Sequence, residues 1–268
     1  MRAHIVPHTH WDREWYLTFQ EFRFKLVRLV DSLLEIMEQD PEYRYFTLDG
    51  QAIILEDYLE IRPENRPRLE KLIREGRILI GPWYVLPDEF YVSGEALIRN
   101  MQRGIAVCEE YGGAMMVGYV PDQFGHVAQM PQVFQGFGIT EAVLWRGVGG
   151  ECRDAQFTWE APDGSRVTTI YMPDGYGNAA SLPVEPEELR DRLQQILENQ
   201  KDFLSTGHIL MMNGSDHLMP QPGLPRLLKE IAGQLSMETE LSTLPRYIAA
   251  LKAANPRRPL LKGELRSG

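Results

Sequence analysis

Apolar positions follow two rhythms along this chain. Short, nearly continuous apolar runs at residues 3–7, 45–48, 78–81, 115–120, 141–145, 167–171, 208–212 and 238–242 predict strands covered on both faces. Longer stretches between them carry apolar residues at helical spacing. Residues 20–39 place Phe22, Leu26, Leu29, Val30, Leu33, Leu34, Ile36 and Met37 on one such face. Residues 53–75 repeat the pattern with Ile54, Leu55, Tyr58, Leu59, Leu69, Leu72 and Ile73, interrupted by Pro63 and Pro67. Further helices are predicted at 93–111, 130–137, 186–204 and 224–235, where Ser93 with Glu95, and Pro186 with two following glutamates, suit helix starts. The turn signature Ala161-Pro162-Asp163-Gly164-Ser165 predicts a β-hairpin over 156–171. Strands separated by helical crossovers define an α/β protein, either a β/α barrel or an open doubly wound sheet. Gly147-Val148-Gly149-Gly150 follows a strand but lacks the dinucleotide-binding spacing and a following helix, so the parallel barrel is the expected architecture.

Composition narrows the classes. With 43% hydrophobic and 25% charged residues, the chain is globular, which excludes disorder, collagen and coiled coil. A formal charge of -10 and the lack of any basic tract of five residues argue against a nucleic-acid partner. Cys108 and Cys152 make neither a disulfide framework nor a zinc knuckle, which points to a reducing compartment. No apolar run approaches the roughly 18 residues of a membrane span, and Met1 to Pro7 is too short and too soon polar for a signal peptide. A soluble, cytoplasmic protein is the expectation.

Polar clusters follow the predicted strands, where parallel α/β architectures collect their functional groups. Pro7-His8-Thr9-His10-Trp11-Asp12-Arg13-Glu14-Trp15 follows the first strand, Asp49-Gly50-Gln51 the second, and Gly81-Pro82-Trp83-Tyr84 with Asp88-Glu89-Phe90 the third. Pro121-Asp122-Gln123-Phe124-Gly125-His126 follows the fourth, Arg146 the fifth, and Asn213-Gly214-Ser215-Asp216-His217 the seventh. In extended backbone His10 and Asp12 project to one side and can approach one cation. Alone, that pair is an ordinary polar cluster as readily as a ligand pair. Joined by His217 and Asp122, it becomes a mixed nitrogen and oxygen set suited to Zn²⁺ or a similar divalent ion. His4 and His208 lie inside predicted strands and read as core histidines. His8 and His126 stay open between supporting a ligand and scaffolding. Asp88 and Glu89 are rim carboxylates, caps of the following helix or ligand contacts, and Trp83 and Tyr84 stack on a ligand or pack beneath the loop.

Taken in order, these blocks resemble the catalytic domain of glycoside hydrolase family 38, the retaining α-mannosidases, and its bacterial branch most closely. The resemblance implies a seven-stranded parallel β/α barrel over residues 1–260, with 261–268 a link toward helical and β domains that do not follow here. It implies one Zn²⁺ held by His10, Asp12, Asp122 and His217, with Asp122 also the nucleophile. Such an enzyme pairs a nucleophilic carboxylate with a second carboxyl, about 5–5.5 Å away, that acts as acid and then base. The family motif for that acid does not carry over cleanly. Asp174, in Met172-Pro173-Asp174-Gly175, is the first candidate and Asp216 the second, while a Pro-Asp-Gly turn is the equally valid structural reading of Asp174. Trp15 and Phe124 are expected to face the sugar, with Arg146 and Asp216 holding charge and hydroxyls. The implied substrate is a terminal α-mannoside. Metal-assisted amide or ester hydrolysis and an inactive sugar-binding barrel fragment are the competing readings, and a homo-oligomer is left open.

Overall fold

The computed structural model describes residues 1–150 and 152–267. In chain order it contains β1 (Arg2–Thr9), α1 (Phe19–Gln39), β2 (Phe46–Leu48), α2 (Ile53–Leu59), α3 (Arg66–Arg74), β3 (Ile78–Leu79), α4 (Gly94–Tyr111), β4 (Gly118–Val120), α5 (Met130–Gly136) and β5 (Glu141–Leu144). Then come β6 (Gln156–Glu160), β7 (Arg166–Tyr171), α6 (Pro186–Gln200), β8 (His208–Asn213), α7 (Leu224–Glu230), β9 (Glu238–Leu241), α8 (Leu244–Ala254) and β10 (Leu260–Lys262). The helical stretch expected at 53–75 breaks into α2, a 3₁₀ turn over Pro63–Asn65, and α3, because the two prolines cannot donate to the preceding turn. The hairpin forms with Thr158 opposite Thr168.

The architecture is mixed α/β, with its strands in two five-stranded sheets in place of one continuous ladder. The first runs β3-β2-β1-β8, all parallel, with β9 also pairing β1. The second runs β10-β6-β7-β5-β4, in which β6 is antiparallel to β7. Single backbone bonds join the sheets at both seams, from Met115 N–H to Ile80 O at 2.8 Å and from Ala179 N–H to Met212 O at 3.0 Å. Between the sheets, Val6, Tyr119, Val143, Ile170, Leu210 and Met212 pack in one cluster drawn from β1, β4, β5, β7 and β8. Helix α1, opened by the Thr18 N–H donating to Glu21 Oε2, buries Phe22, Leu26, Leu29, Leu33 and Met37 against the outer face of the first sheet. Among the described residues no helix is long and apolar enough to cross a membrane.

At the strand starts, His4 and His208 form a hydrogen-bonded pair, with 3.0 Å from His4 Nε2 to His208 Nδ1 and another 3.0 Å from His4 Nδ1 to Ser242 Oγ. Burial, reinforced by His208, Arg2 and Arg246, pushes the His4 pKa down to about 4, although Glu240 lies 3.2 Å from its Nδ1. A depressed histidine is neutral when folded and takes up a proton on unfolding, so its contribution is present above the unfolded value of 6.5 and is lost as pH falls toward 4. Between pH 7 and pH 5 this group alone should cost about 2 kcal/mol of stability. Denaturant titrations of the wild-type chain and His4→Gln at both pH values would show it as a smaller pH loss in the variant; equal losses would contradict it.

Candidate active site

The predicted polar loops meet at the C-terminal ends of β1, β2, β4 and β8. Strand β8 pairs with β1 up to Pro7 opposite Asn213, and Gly214 then passes so close that a Cβ there would sit 1.9 Å from His8 O. Only a residue without a side chain permits this approach. The crossing continues with the His10 N–H donating to Ser215 O at 3.2 Å and the His217 N–H donating to His10 O at 2.9 Å. Two stretches more than 200 residues apart are thereby locked in register. The His217 ring stacks on Phe22, with 4.3 Å between centroids, and meets the edge of Trp11 at 4.9 Å.

Within this frame, His10 Nε2 lies 3.6 Å from Asp12 Oδ1 and 3.9 Å from Asp122 Oδ2, and His217 Nε2 lies 3.6 Å from Asp12 Oδ2. The sequence-predicted set His10, Asp12, Asp122 and His217 is therefore brought together. These gaps exceed ordinary hydrogen-bond lengths. They approach the separation of about 3.3–3.6 Å that donors adopt around a tetrahedral ion with bonds of about 2.0–2.2 Å. The donor types suit a divalent cation. Among the described residues, however, no group of three or more His, Cys, Asp or Glu side chains is so placed that it could hold a metal ion.

On the other side of the His10 ring, Nδ1 lies 3.2 Å from Asp49 Oδ2. Asp49 is fully buried and also accepts from the Trp11 N–H at 2.9 Å and from Gln51 Nε2 at 2.9 Å. Burial works against ionisation of Asp49, but His10 and the N–H groups of Trp11 and Gly50 hold its pKa below the ordinary carboxylate value. Burial likewise disfavours charge on His10, yet Asp49 and Asp12 outweigh it and raise the imidazole pKa well above its usual value. Placed this way, Asp49 favours a proton on Nδ1, and Nε2 faces Asp12 and Asp122, where it would become a ligand atom once a cation displaced its proton. The sequence displayed Asp49-Gly50-Gln51 as a polar cluster after a strand, and its role comes from a contact across β1 and β2 that no local spacing reveals.

Arg146 grips Asp122 Oδ1 through Nη2 at 2.8 Å and Nε at 3.1 Å, and Nε also donates to the Asp122 carbonyl at 3.2 Å. The guanidinium lies over the Trp145 and Phe124 rings, at 4.0 and 4.2 Å from their centroids. Burial raises the Asp122 pKa; Arg146 and His10 oppose that, while the charge of Asp216 adds to it, and the net shift is upward. Asp216 accepts from the Tyr176 hydroxyl at 2.7 Å, a partner the sequence did not single out. Trp15 and Phe124 are 67% and 68% exposed at the rim, with one face of the Phe124 ring covered by Arg146. Asp174 is exposed in the turn closed by the Gly175 N–H to Met172 O bond, and among the described residues no hydrogen bond or ion pair ties it to Asp122. Trp83 is fully buried and donates to Tyr119 O at 3.1 Å, so it packs beneath the loop and does not face a ligand.

The model of the family described as "Glycosyl hydrolases family 38 N-terminal domain" matches residues 1–265. The chain belongs to this family. A relative from Halalkalibacterium halodurans, named "Putative mannosylglycerate hydrolase", is 38% identical over 281 residues, covering 99% of this chain and 31% of its own length. Alpha-mannosidase 2C1 of Mus musculus is 28% identical, covering 92% of this chain and 25% of its own. The crystal structure of an alpha-mannosidase from Enterococcus faecalis V583 superposes on this family 38 domain with a TM-score of 0.95 and 36% identity, over 98% of this chain and 31% of that one. A polysaccharide deacetylase structure from Mycobacterium smegmatis, at 13% identity and a TM-score of 0.63, shares the fold alone. The family 38 domain thus spans about a third or less of the length of these longer relatives.

Proposed function

We propose that this chain carries the catalytic centre of an α-mannosidase that cleaves terminal α-mannosidic bonds with retention, using one Zn²⁺ held by His10, Asp12, Asp122 and His217. The observation that carries the reading is the position of Asp122: one carboxylate oxygen is fixed by Arg146 while the other faces the His10, Asp12 and His217 cluster. In this reading the two sheets are halves of a seven-stranded barrel made by β1, β2, β3, β4, β5, β7 and β8, with the site at its C-terminal mouth. The two free, buried cysteines suit the reducing cytoplasm.

Bound there, the cation supplies Lewis-acid polarisation of sugar hydroxyls. The protein groups do the rest. Asp122 Oδ2 forms a bond to the anomeric carbon as the bond from that carbon to the leaving oxygen breaks, and a carboxylic acid delivers its proton to that oxygen. The resulting carboxylate then takes a proton from water, whose oxygen displaces Asp122 and restores the starting configuration. Arg146 fixes the plane of the nucleophile through Oδ1 and keeps Oδ2 turned toward the cluster. Of the two candidate acids, Asp216 is the better placed, because it is held by Tyr176 within the cluster and its charge acts on Asp122. Asp174 is exposed at the rim. Trp15 and Phe124 offer apolar ring faces to the sugar.

A 5-fluoro-mannosyl fluoride tests this directly. Digestion and mass spectrometry should find one added sugar on the peptide that contains Asp122. An enzyme that turns over the reagent without labelling would rule out the double displacement and favour attack by activated water.

A further inference from the structure

We propose that residues 263–267 form a positioning strap that holds Asp122 and Arg146 in mutual register; this rests on the reading of Asp122 as nucleophile. The segment leaves β10, which pairs with β6, and crosses the mouth between the two loops that carry this pair. On one side the His126 N–H donates to Leu265 O at 2.9 Å and the Leu265 N–H donates to His126 O at 3.0 Å. On the other, the Ser267 N–H donates to Gly147 O at 3.0 Å. His126 closes the loop that begins at Asp122, and Gly147 directly follows Arg146. The strap therefore fastens the loops that carry both members of the ion pair, at His126 four residues after Asp122 and at Gly147 next to Arg146.

The contact is too close to be incidental. Gly147 has φ +86°, and a Cβ there would stand 2.5 Å from Leu265 O. The Leu265 side chain is buried in the cluster containing Val148, Trp159 and Phe134, and Trp159 Nε1 donates to Gly263 O at 2.8 Å. From beneath, a fully buried pair braces the same loop: Glu89 Oε1 lies 2.8 Å from His126 Nδ1, and Glu89 Oε2 accepts the Val127 N–H at 2.8 Å. Arg266 and Ser267 also complete the wall of a 340 Å³ cavity shared with Phe124, Trp145, Arg146 and Tyr171. Loop 121–127 is thus held from two directions while its exposed tip carries Phe124 toward the rim. The carboxylate and its guanidinium come from different strands, and their geometry is set where the strap touches both loops.

Leu265→Ala removes the apolar peg while leaving every backbone donor in place, and Leu265→Val does so more mildly should the alanine variant fail to fold. Two readouts are needed. Hydrogen exchange should accelerate in peptides spanning 121–127 and 146–149 and remain unchanged across β1 and β8. With an aryl α-mannoside, kcat should fall about 10- to 100-fold while KM moves less than about threefold, the signature of a displaced reacting group. Lys262→Ala, at the end of β10 just before the strap and paired with Glu160, should change neither. A folded Leu265 variant with unaltered exchange in both loops, or with wild-type kcat, overturns the strap. If the wild-type chain hydrolyses no mannoside, the catalytic reading fails, and the exchange readout alone then decides whether the strap fastens both loops.

Discussion

Asp122→Ala will reduce α-mannoside hydrolysis by about 10⁴-fold or more, the scale expected when a nucleophile that defines the reaction path is removed. Two separate losses combine in this variant. The attacking oxygen is gone, and Arg146, which gives two of its three hydrogen bonds in this site to Asp122 Oδ1, keeps only the main-chain carbonyl of residue 122 and loses its counter-charge. A small external nucleophile offers an internal control. Azide or formate should restore part of the turnover of a substrate with a good leaving group, because the acid and the sugar contacts survive. Product analysis by NMR would then show inversion in the rescued reaction and retention in the wild type. A variant with near-native activity would remove Asp122 from the chemistry altogether.

Chelation is expected to abolish turnover, and one equivalent of Zn²⁺ per chain should restore it. Metal analysis provides the readout that does not depend on activity: His10→Ala and His217→Ala should each fail to retain the ion after dialysis. The contribution of Asp49 is graded. Its carboxylate lies 3.2 Å from His10 Nδ1 and would keep the proton on that nitrogen when Nε2 binds a cation, so Asp49→Asn should weaken metal affinity by about 10- to 100-fold without removing a ligand. Asparagine keeps an oxygen able to accept the Trp11 N–H, which limits damage to the fold. Calorimetric titration with Zn²⁺ would measure the change. Full activity after exhaustive chelation, with no metal found in the protein, would end the metal-centred reading.

Much of this centre is legible in the chain because parallel strands display their loops at one end. A histidine, a carboxylate and an arginine placed directly after apolar runs are already at the correct face before anything is known of their partners. The polar blocks that hold His10, Asp12, Asp122, Arg146, Asp216 and His217 can be read in this way. What the sequence hides is pairing across strands. Asp49 and Tyr176 acquire their roles from His10 and Asp216, contacts that depend on three-dimensional register. Glu89 reads as a rim carboxylate but is buried against His126, since a charged residue in a polar loop gives no sign that the loop folds inward. The strap at 263–267 is invisible for a further reason: its work is done by backbone groups that every residue possesses. Helix α8 was also missed, although Leu244, Tyr247, Ile248 and Leu251 keep helical spacing immediately after a strand.

Strand β1 has an unusual set of neighbours: β8 along most of one edge, and β9 followed by β2 along the other. On the ribosome, β1 therefore waits for partners that are made more than 200 residues later. Until Leu241 has been synthesised, that edge is open to other chains, and the closing step links the two ends of the domain at once. Nascent-chain stalling should find protease resistance around β1 appearing abruptly, once Leu241 has left the ribosome.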